Sequence, residues 1–105
     1  MKTFNERVYE KLKNVPIGKV VTYKELAKAI GSNAYRAVGT AMKNNPYAPE
    51  VACHRVIKSD GEIGGFCGEI SGKKIQEKIK LLKREGVEVI NSKIDRKYLY
   101  FFPKI

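Results

Sequence analysis

A chain of 105 residues with 21 Lys and Arg against 11 Asp and Glu carries a formal net charge of +10. That length allows one domain with one modest core. No apolar run approaches the ~20 residues that span a bilayer, and two cysteines make a poor disulfide framework, so a membrane protein and a disulfide-stapled scaffold are both excluded.

The elements follow from local signals. Thr3-Phe4-Asn5-Glu6 has the spacing of a capping box, and Phe4, Val8, Leu12 and Val15 continue at helical spacing until Pro16 and Gly18 stop the run. Val20-Val21 reads as a short strand or extended entry. Thr22-Tyr23-Lys24-Glu25 is a second capping box, opening a short helix with Leu26, Ala27 and Ile30 inward and Gly31 as its stop. Ser32 or Asn33 then caps a third helix, residues 34–43. Its apolar side holds Val38, Ala41 and Met42, and Tyr35, Arg36, Thr40 and Lys43 are left for solvent or a ligand. Two short helices across a tight Gly-containing turn form either a helix-turn-helix or an ordinary αα-hairpin, and the positive charge favours the first. Gly39 in mid-helix costs about 1 kcal/mol relative to alanine, which points to close packing or to close approach of a ligand.

Residues 44–49 form a loop, because two prolines and two asparagines defeat regular structure. Residues 51–57 are largely apolar and read as strand-like around Cys53-His54-Arg55. Ser59-Asp60-Gly61 is a turn, and residues 63–68 make a glycine-rich loop that permits close backbone approach but lacks the lysine and spacing of a P-loop. Ile75, Ile79 and Leu82 mark a last amphipathic helix, residues 73–85, ended by Gly86, with its lysines as the solvated face. Residues 87–90 and 97–102 read as closing strands or an apolar tail. The tail's aromatics are assigned to the core rather than to base stacking, since no basic residue alternates regularly with them. The fold class is α+β, mostly helical, with a helix-turn-helix and a short β element.

The chemistry concentrates in Ala52-Cys53-His54-Arg55-Val56. A thiolate is the reactive form of cysteine and a neighbouring cation favours it; a histidine can also take the thiol proton, directly or through one water. On a regular strand His54 would point away from Cys53, so direct contact needs a turn. The alternative is a small buried cysteine beside a solvated His-Arg pair. One histidine and two cysteines fourteen residues apart match no zinc spacing, and acidic residues are too scattered for paired-carboxylate chemistry. No metal or other cofactor is expected. Nine basic and three acidic residues fall in 1–45, twelve and eight in 46–105, so no tail carries the charge. Such a surface attracts phosphate backbones by counterion release, or simply keeps the domain soluble.

In order and spacing, Pro16-Ile17-Gly18-Lys19-Val20-Val21-Thr22-Tyr23, Arg36-Ala37-Val38-Gly39, Asn44-Asn45-Pro46, Cys53-His54-Arg55-Val56, Ser59-Asp60-Gly61 through Gly64, and Glu85-Gly86 resemble the C-terminal, DNA-binding and active-site domain of O6-alkylguanine-DNA alkyltransferases. The resemblance covers roughly residues 4–88. It implies a winged-helix-like domain that flips a damaged guanine out of duplex DNA and keeps the alkyl group on Cys53 as a thioether, without turnover. It further implies roles. His54 relays the cysteine proton through water, Glu85 orients His54, and Asn45 braces the active-site turn. Tyr23 rotates the target phosphate and protonates the leaving guanine. Arg36 is the finger that fills the gap in the stack, on a helix lying in the minor groove. Val56 and Cys67 touch the flipped base, within a pocket that includes Gly64 and Phe66.

The departures from the family pattern are Ala52 for the usual proline, a helix-helix turn one residue shorter, Phe66 for tyrosine and Cys67 for serine. The N-terminal domain of most full-length members is also expected to be absent, as is any signal peptide. These departures keep open a second reading, an alkyltransferase-like module that binds the lesion without transfer. Such proteins typically carry tryptophan where Cys53 stands here. A plain winged-helix DNA binder with a structural Cys53 is the third. The expected partner is double-stranded DNA containing O6-alkylguanine, met by a monomer in the cytoplasm.

Overall fold

The computed structural model describes residues 2–47, 51–65 and 72–103. Helix α1 (Phe4–Leu12) starts at Thr3, where the capping box closes in both directions. The Thr3 hydroxyl accepts from the Glu6 N–H at 3.1 Å, and the Glu6 carboxylate accepts from the Thr3 N–H at 3.1 Å; such a cap stabilises a helix by about 1 kcal/mol. Val8, Leu12 and Val15 fall on the inward face and are buried. Beyond Pro16 the chain turns at Gly18, φ +89°, where a Cβ would sit 3.3 Å from the carbonyl oxygen of Glu85. Glycine therefore meets two demands there, a left-handed backbone and a close approach.

Strand β1 (Val21–Thr22) runs straight into α2 (Tyr23–Ala29). The Thr22 hydroxyl accepts from the Glu25 N–H at 3.1 Å, while the Glu25 carboxylate lies 3.9 Å from the Lys28 ammonium, so the second box forms from the Thr22 side. Helix α3 (Tyr35–Lys43) completes a helix-turn-helix, but neither Ser32 nor Asn33 caps it. Ala34 occupies the cap position; the Ser32 hydroxyl accepts from the Ala34 N–H at 3.0 Å, and the Asn33 carbonyl from the Tyr35 N–H at 3.0 Å. A serine hydroxyl reaches readily to the backbone two residues on, and here that bond tightens the turn before the helix begins. The Tyr9 hydroxyl donates to the Ala41 carbonyl at 2.8 Å and Arg7 to the Ile30 carbonyl at 2.5 Å, pinning α1 across the pair.

Cys53-His54-Arg55 does not continue a strand. It forms a 3-10 turn leading into β2 (Val56–Ile57), which pairs parallel with β1 in the register Val21↔Val56 and Thr22↔Ile57. The reason is electrostatic: His54 and Arg55 both reach Glu85, which consecutive residues pointing to opposite faces of a strand cannot do. Helix α4 (Lys73–Arg84) ends at Glu85 and Gly86. Its lysines are not all solvated, since Lys78 is 0% exposed.

Past α4, β3 (Val89–Ile90) and β4 (Lys93–Ile94) form a hairpin whose turn residues, Asn91 and Ser92, have φ 51° and 62°. Both values match a two-residue turn of the twist that suits a hairpin. Residues 97–102 take the tail form rather than a regular strand. Asp95 caps a 3-10 turn at Arg96–Tyr98, after which Val20 donates to the Tyr98 carbonyl at 2.9 Å and accepts from the Tyr100 N–H at 2.7 Å. Tyr100 and Phe102 pack on the core and Phe101 points outward. One core cluster gathers α1, α2 and α3 around Val8, Leu26, Val38 and Cys53; a second gathers Val20, Ile57, Ile63, Leu82 and Ile94.

Candidate active site

Cys53 and His54 are consecutive residues of one tight turn, 6% and 4% exposed. The turn is held from both sides. The Cys53 N–H donates to the Val51 carbonyl at 2.9 Å and the Arg55 N–H to the Ala52 carbonyl at 2.9 Å. Asn45 donates through Nδ2 to that same Val51 carbonyl at 2.8 Å and accepts the Tyr47 N–H at 2.9 Å. Asn45 thus ties the loop after α3 to the residue two positions before the cysteine.

Glu85 organises the other side. Its Oε2 lies 2.8 Å from His54 Nε2, and Arg55 clamps both carboxylate oxygens, Nε to Oε1 and Nη2 to Oε2, each at 2.8 Å. The remaining arm of Arg55 donates to the Val15 carbonyl at 2.9 Å. Burial pushes the Glu85 carboxyl upward, but the Arg55 and His54 hydrogen bonds and charges outweigh it and hold it below its ordinary value. Burial lowers the His54 pKa; the Glu85 bond and charge act against this, while Arg55 and Lys78 add to it. The imidazole is therefore neutral at neutral pH. A carboxylate only accepts, so Nε2 carries the proton and Nδ1 keeps the basic lone pair.

The sequence reading missed Lys78. Its ammonium donates to the carbonyls of Val56 at 2.8 Å and Gly65 at 3.0 Å, and to that of Ile63. Three protons meet three acceptors. Burial pushes its pKa down to about 8, and a charge on Cys53 works the other way. The signal was present in the sequence: Lys78 follows Ile75 by three residues and precedes Leu82 by four, on the inward stripe of α4. The clamp by Arg55 on Glu85 was missed as well, because the two residues are thirty positions apart.

Tyr23 opens α2 at the edge of this cluster. A Cβ on Gly64, φ +72°, would meet Lys58 Cγ at 3.2 Å and the Tyr23 ring and hydroxyl at 3.5 and 3.6 Å. Burial raises the Tyr23 hydroxyl above its ordinary value, with the Cys53 charge adding to the effect, so the phenol stays protonated. Val56 is fully buried and its carbonyl is one of those Lys78 holds. Phe66 and Cys67 lie outside the described residues.

The remaining candidates form a second group, on the outer face of α3. Tyr35, Arg36, Thr40 and Lys43 are exposed, and no salt bridge holds Arg36 among the described residues. A Cβ on Gly39 would meet nothing within 4 Å, so that glycine faces open space rather than a packed neighbour. Tyr23, Tyr35 and Gly39 border one hollow of about 320 Å³. Among the described residues no cluster of His, Cys, Asp or Glu could hold a metal ion, and no helix is long and apolar enough to cross a membrane.

Against known proteins, residues 3–87 match the family described as 6-O-methylguanine DNA methyltransferase, DNA binding domain. The chain is 50% identical over 86 residues to a methylated-DNA–protein-cysteine methyltransferase of Thermococcus kodakarensis, covering 81% of this chain and 45% of that protein. It is 41% identical over 88 residues to the protein of that name from Archaeoglobus fulgidus, covering 81% and 57%. The chain thus spans about half the length of these curated relatives. Among solved structures it resembles S. pombe Atl1 in complex with damaged DNA containing O6-carboxymethylguanine, with a TM-score of 0.77, 33% identity and 95% and 98% coverage. It also resembles Mycobacterium tuberculosis OGT in complex with DNA, with a TM-score of 0.70, 40% identity and 81% and 50% coverage.

Proposed function

Because the chain belongs to the family of the 6-O-methylguanine DNA methyltransferase DNA-binding domain, we propose that it repairs double-stranded DNA by moving an alkyl group from O6 of guanine onto Cys53. The observation that carries this reading is Cys53 and His54 sharing one turn, with His54 fixed by Glu85 at 2.8 Å. His54 Nδ1 takes the thiol proton through water. The sulfur attacks the alkyl carbon, the C–O6 bond breaks, and the guanine leaves with the electron pair. Tyr23, kept protonated by its surroundings, supplies the proton that neutralises the departing base. Lys78 favours negative charge on Cys53 by simple attraction. The thioether is stable, so each molecule reacts once. Tyr35, Arg36, Thr40 and Lys43 meet the DNA, and Arg36 occupies the space that the flipped nucleotide leaves. The protein works as a cytoplasmic monomer and needs no cofactor.

A second reading has one observation in its favour. The fold superposes on S. pombe Atl1 with a TM-score of 0.77, against 0.70 for Mycobacterium tuberculosis OGT. On this reading it binds O6-alkylguanine without transfer and marks it for another pathway. Intact-protein mass after mixing with a duplex containing one O6-methylguanine separates the two. A gain of one methylene unit, lost in Cys53→Ser, supports transfer. No gain, with tighter binding to that duplex than to an undamaged one, supports lesion binding alone.

A further inference from the structure

The hollow beside α3 does not end at Tyr23. Lys24, Lys58, Ser59 and Asp60 border it and also a second hollow of about 490 Å³, which continues to Arg96, Leu99 and Phe101 of the C-terminal segment. The result is one groove running from the outer face of α3 to residues that lie beyond the family match at 3–87. Its floor is apolar, with Ile57 and Ile94 buried beneath it, and its rim carries the exposed cations Lys24, Lys58 and Arg96. The acidic side chains along it are engaged locally: Asp60 accepts the Glu62 N–H at 3.0 Å, and Glu25 lies 3.9 Å from Lys28. At the far end Phe101 leaves 59% of its surface in water while its neighbours Tyr100 and Phe102 pack inward.

We propose that this groove holds the DNA strand flanking the flipped nucleotide, with Lys24, Lys58 and Arg96 on its phosphates and Phe101 against a base or sugar. The proposal rests on the DNA-binding reading above and extends its footprint onto the C-terminal segment. Two observations carry it. The groove reaches Tyr35 and Gly39 of α3, and cations beside an exposed aromatic are the combination that a partly unstacked strand requires.

The test is binding of the full chain to an undamaged duplex and to the same duplex with one O6-methylguanine, across a salt series. Arg96→Ala is expected to weaken binding to both alike and to lower the slope of log affinity on log salt by about 0.9. Phe101→Ala is expected to weaken binding with the slope unchanged. Lys80→Ala, which removes an exposed lysine of α4 outside the groove, is expected to change neither. Alkyl uptake by Lys80→Ala should match the unmodified protein. The proposal is overturned if Arg96→Ala keeps the original affinity and slope, or if Lys80→Ala lowers the slope as much. If the unmodified protein binds neither duplex, the DNA-binding reading fails first and this proposal with it. Binding without alkyl uptake overturns only the transfer step.

Discussion

The ammonium of Lys78 donates to the carbonyl of Val56 at 2.8 Å, joining α4 to the strand that leaves the Cys53 turn. A buried ammonium with its pKa pushed down to about 8 from 10.5 makes stability depend on alkaline pH. Between those values the unfolded chain binds the proton and the fold does not, so stability rises with pH through that window. The difference corresponds to roughly 3 kcal/mol. Lys78→Met should lack this rise, seen as urea midpoints measured from pH 7 to 11 for both proteins. It should also lose stability at pH 7, since three buried carbonyls lose their donor.

Glu85→Gln should loosen His54 and Arg55 together. Removing one partner of a largely buried ion pair costs on the order of 3 kcal/mol. Glu85 is held below its ordinary 4.5, so its contribution is complete above that pH and is lost as acid takes the pH below it. Thermal unfolding between pH 3 and 7 should therefore be flatter for Glu85→Gln. His54 should titrate lower still in the variant, as followed by NMR, because the charge that opposed its burial is gone.

Asn45→Ala removes the donor that holds the Val51 carbonyl and the acceptor that fixes the Tyr47 N–H. The expected loss is about 1–3 kcal/mol. The rate of alkyl uptake should fall more steeply than stability alone explains, because the same brace sets the Cys53 turn. Single-turnover rates measured well below the unfolding temperature check this.

Gly64→Ala places a methyl group 3.2 Å from Lys58 and 3.5 Å from the Tyr23 ring, on a backbone at φ +72°. The left-handed conformation alone costs about 1–2 kcal/mol. The variant should fold with reduced stability and take up alkyl groups more slowly, because Tyr23 must shift; circular dichroism melts and single-turnover rates separate the two effects.

Arg36→Ala should leave folding unchanged, since the side chain is exposed and lacks a salt bridge among the described residues. Preference for the O6-methylguanine duplex over an undamaged one should fall at least about tenfold, because the cost of unstacking the base, a few kcal/mol, is no longer offset. Competition binding reads this directly.

The two capping motifs and the periodic apolar residues announced α1, α2, α3 and α4 because they act within a few residues of themselves. Val8, Leu26, Val38 and Leu82 are buried where their spacing places them. What the sequence could not display were effects acting at a distance. Cys53-His54-Arg55 looked like a strand until Glu85, some thirty positions on, drew two neighbouring side chains to one point. Lys78 looked like one more solvated lysine, because charge outweighed its position on the apolar stripe. Ser32 misled in a different way, by bonding one residue short of the helix it was expected to cap. The candidate cluster around Cys53 was legible as a set of residue types, and its geometry was settled by long-range pairs.

Cys53 also belongs to the interior, packed in the cluster with Val8, Val38 and Val56. The alkyl carbon that the proposed transfer would leave on its sulfur is, for the fold, a small-to-large substitution at a core position. Overpacking of that kind costs about 1–3 kcal/mol, against a total of about 5–15 kcal/mol for a domain. The reacted protein would therefore be a less stable molecule than the one that met the DNA. The proposed transfer would thus leave a mark readable as lost stability.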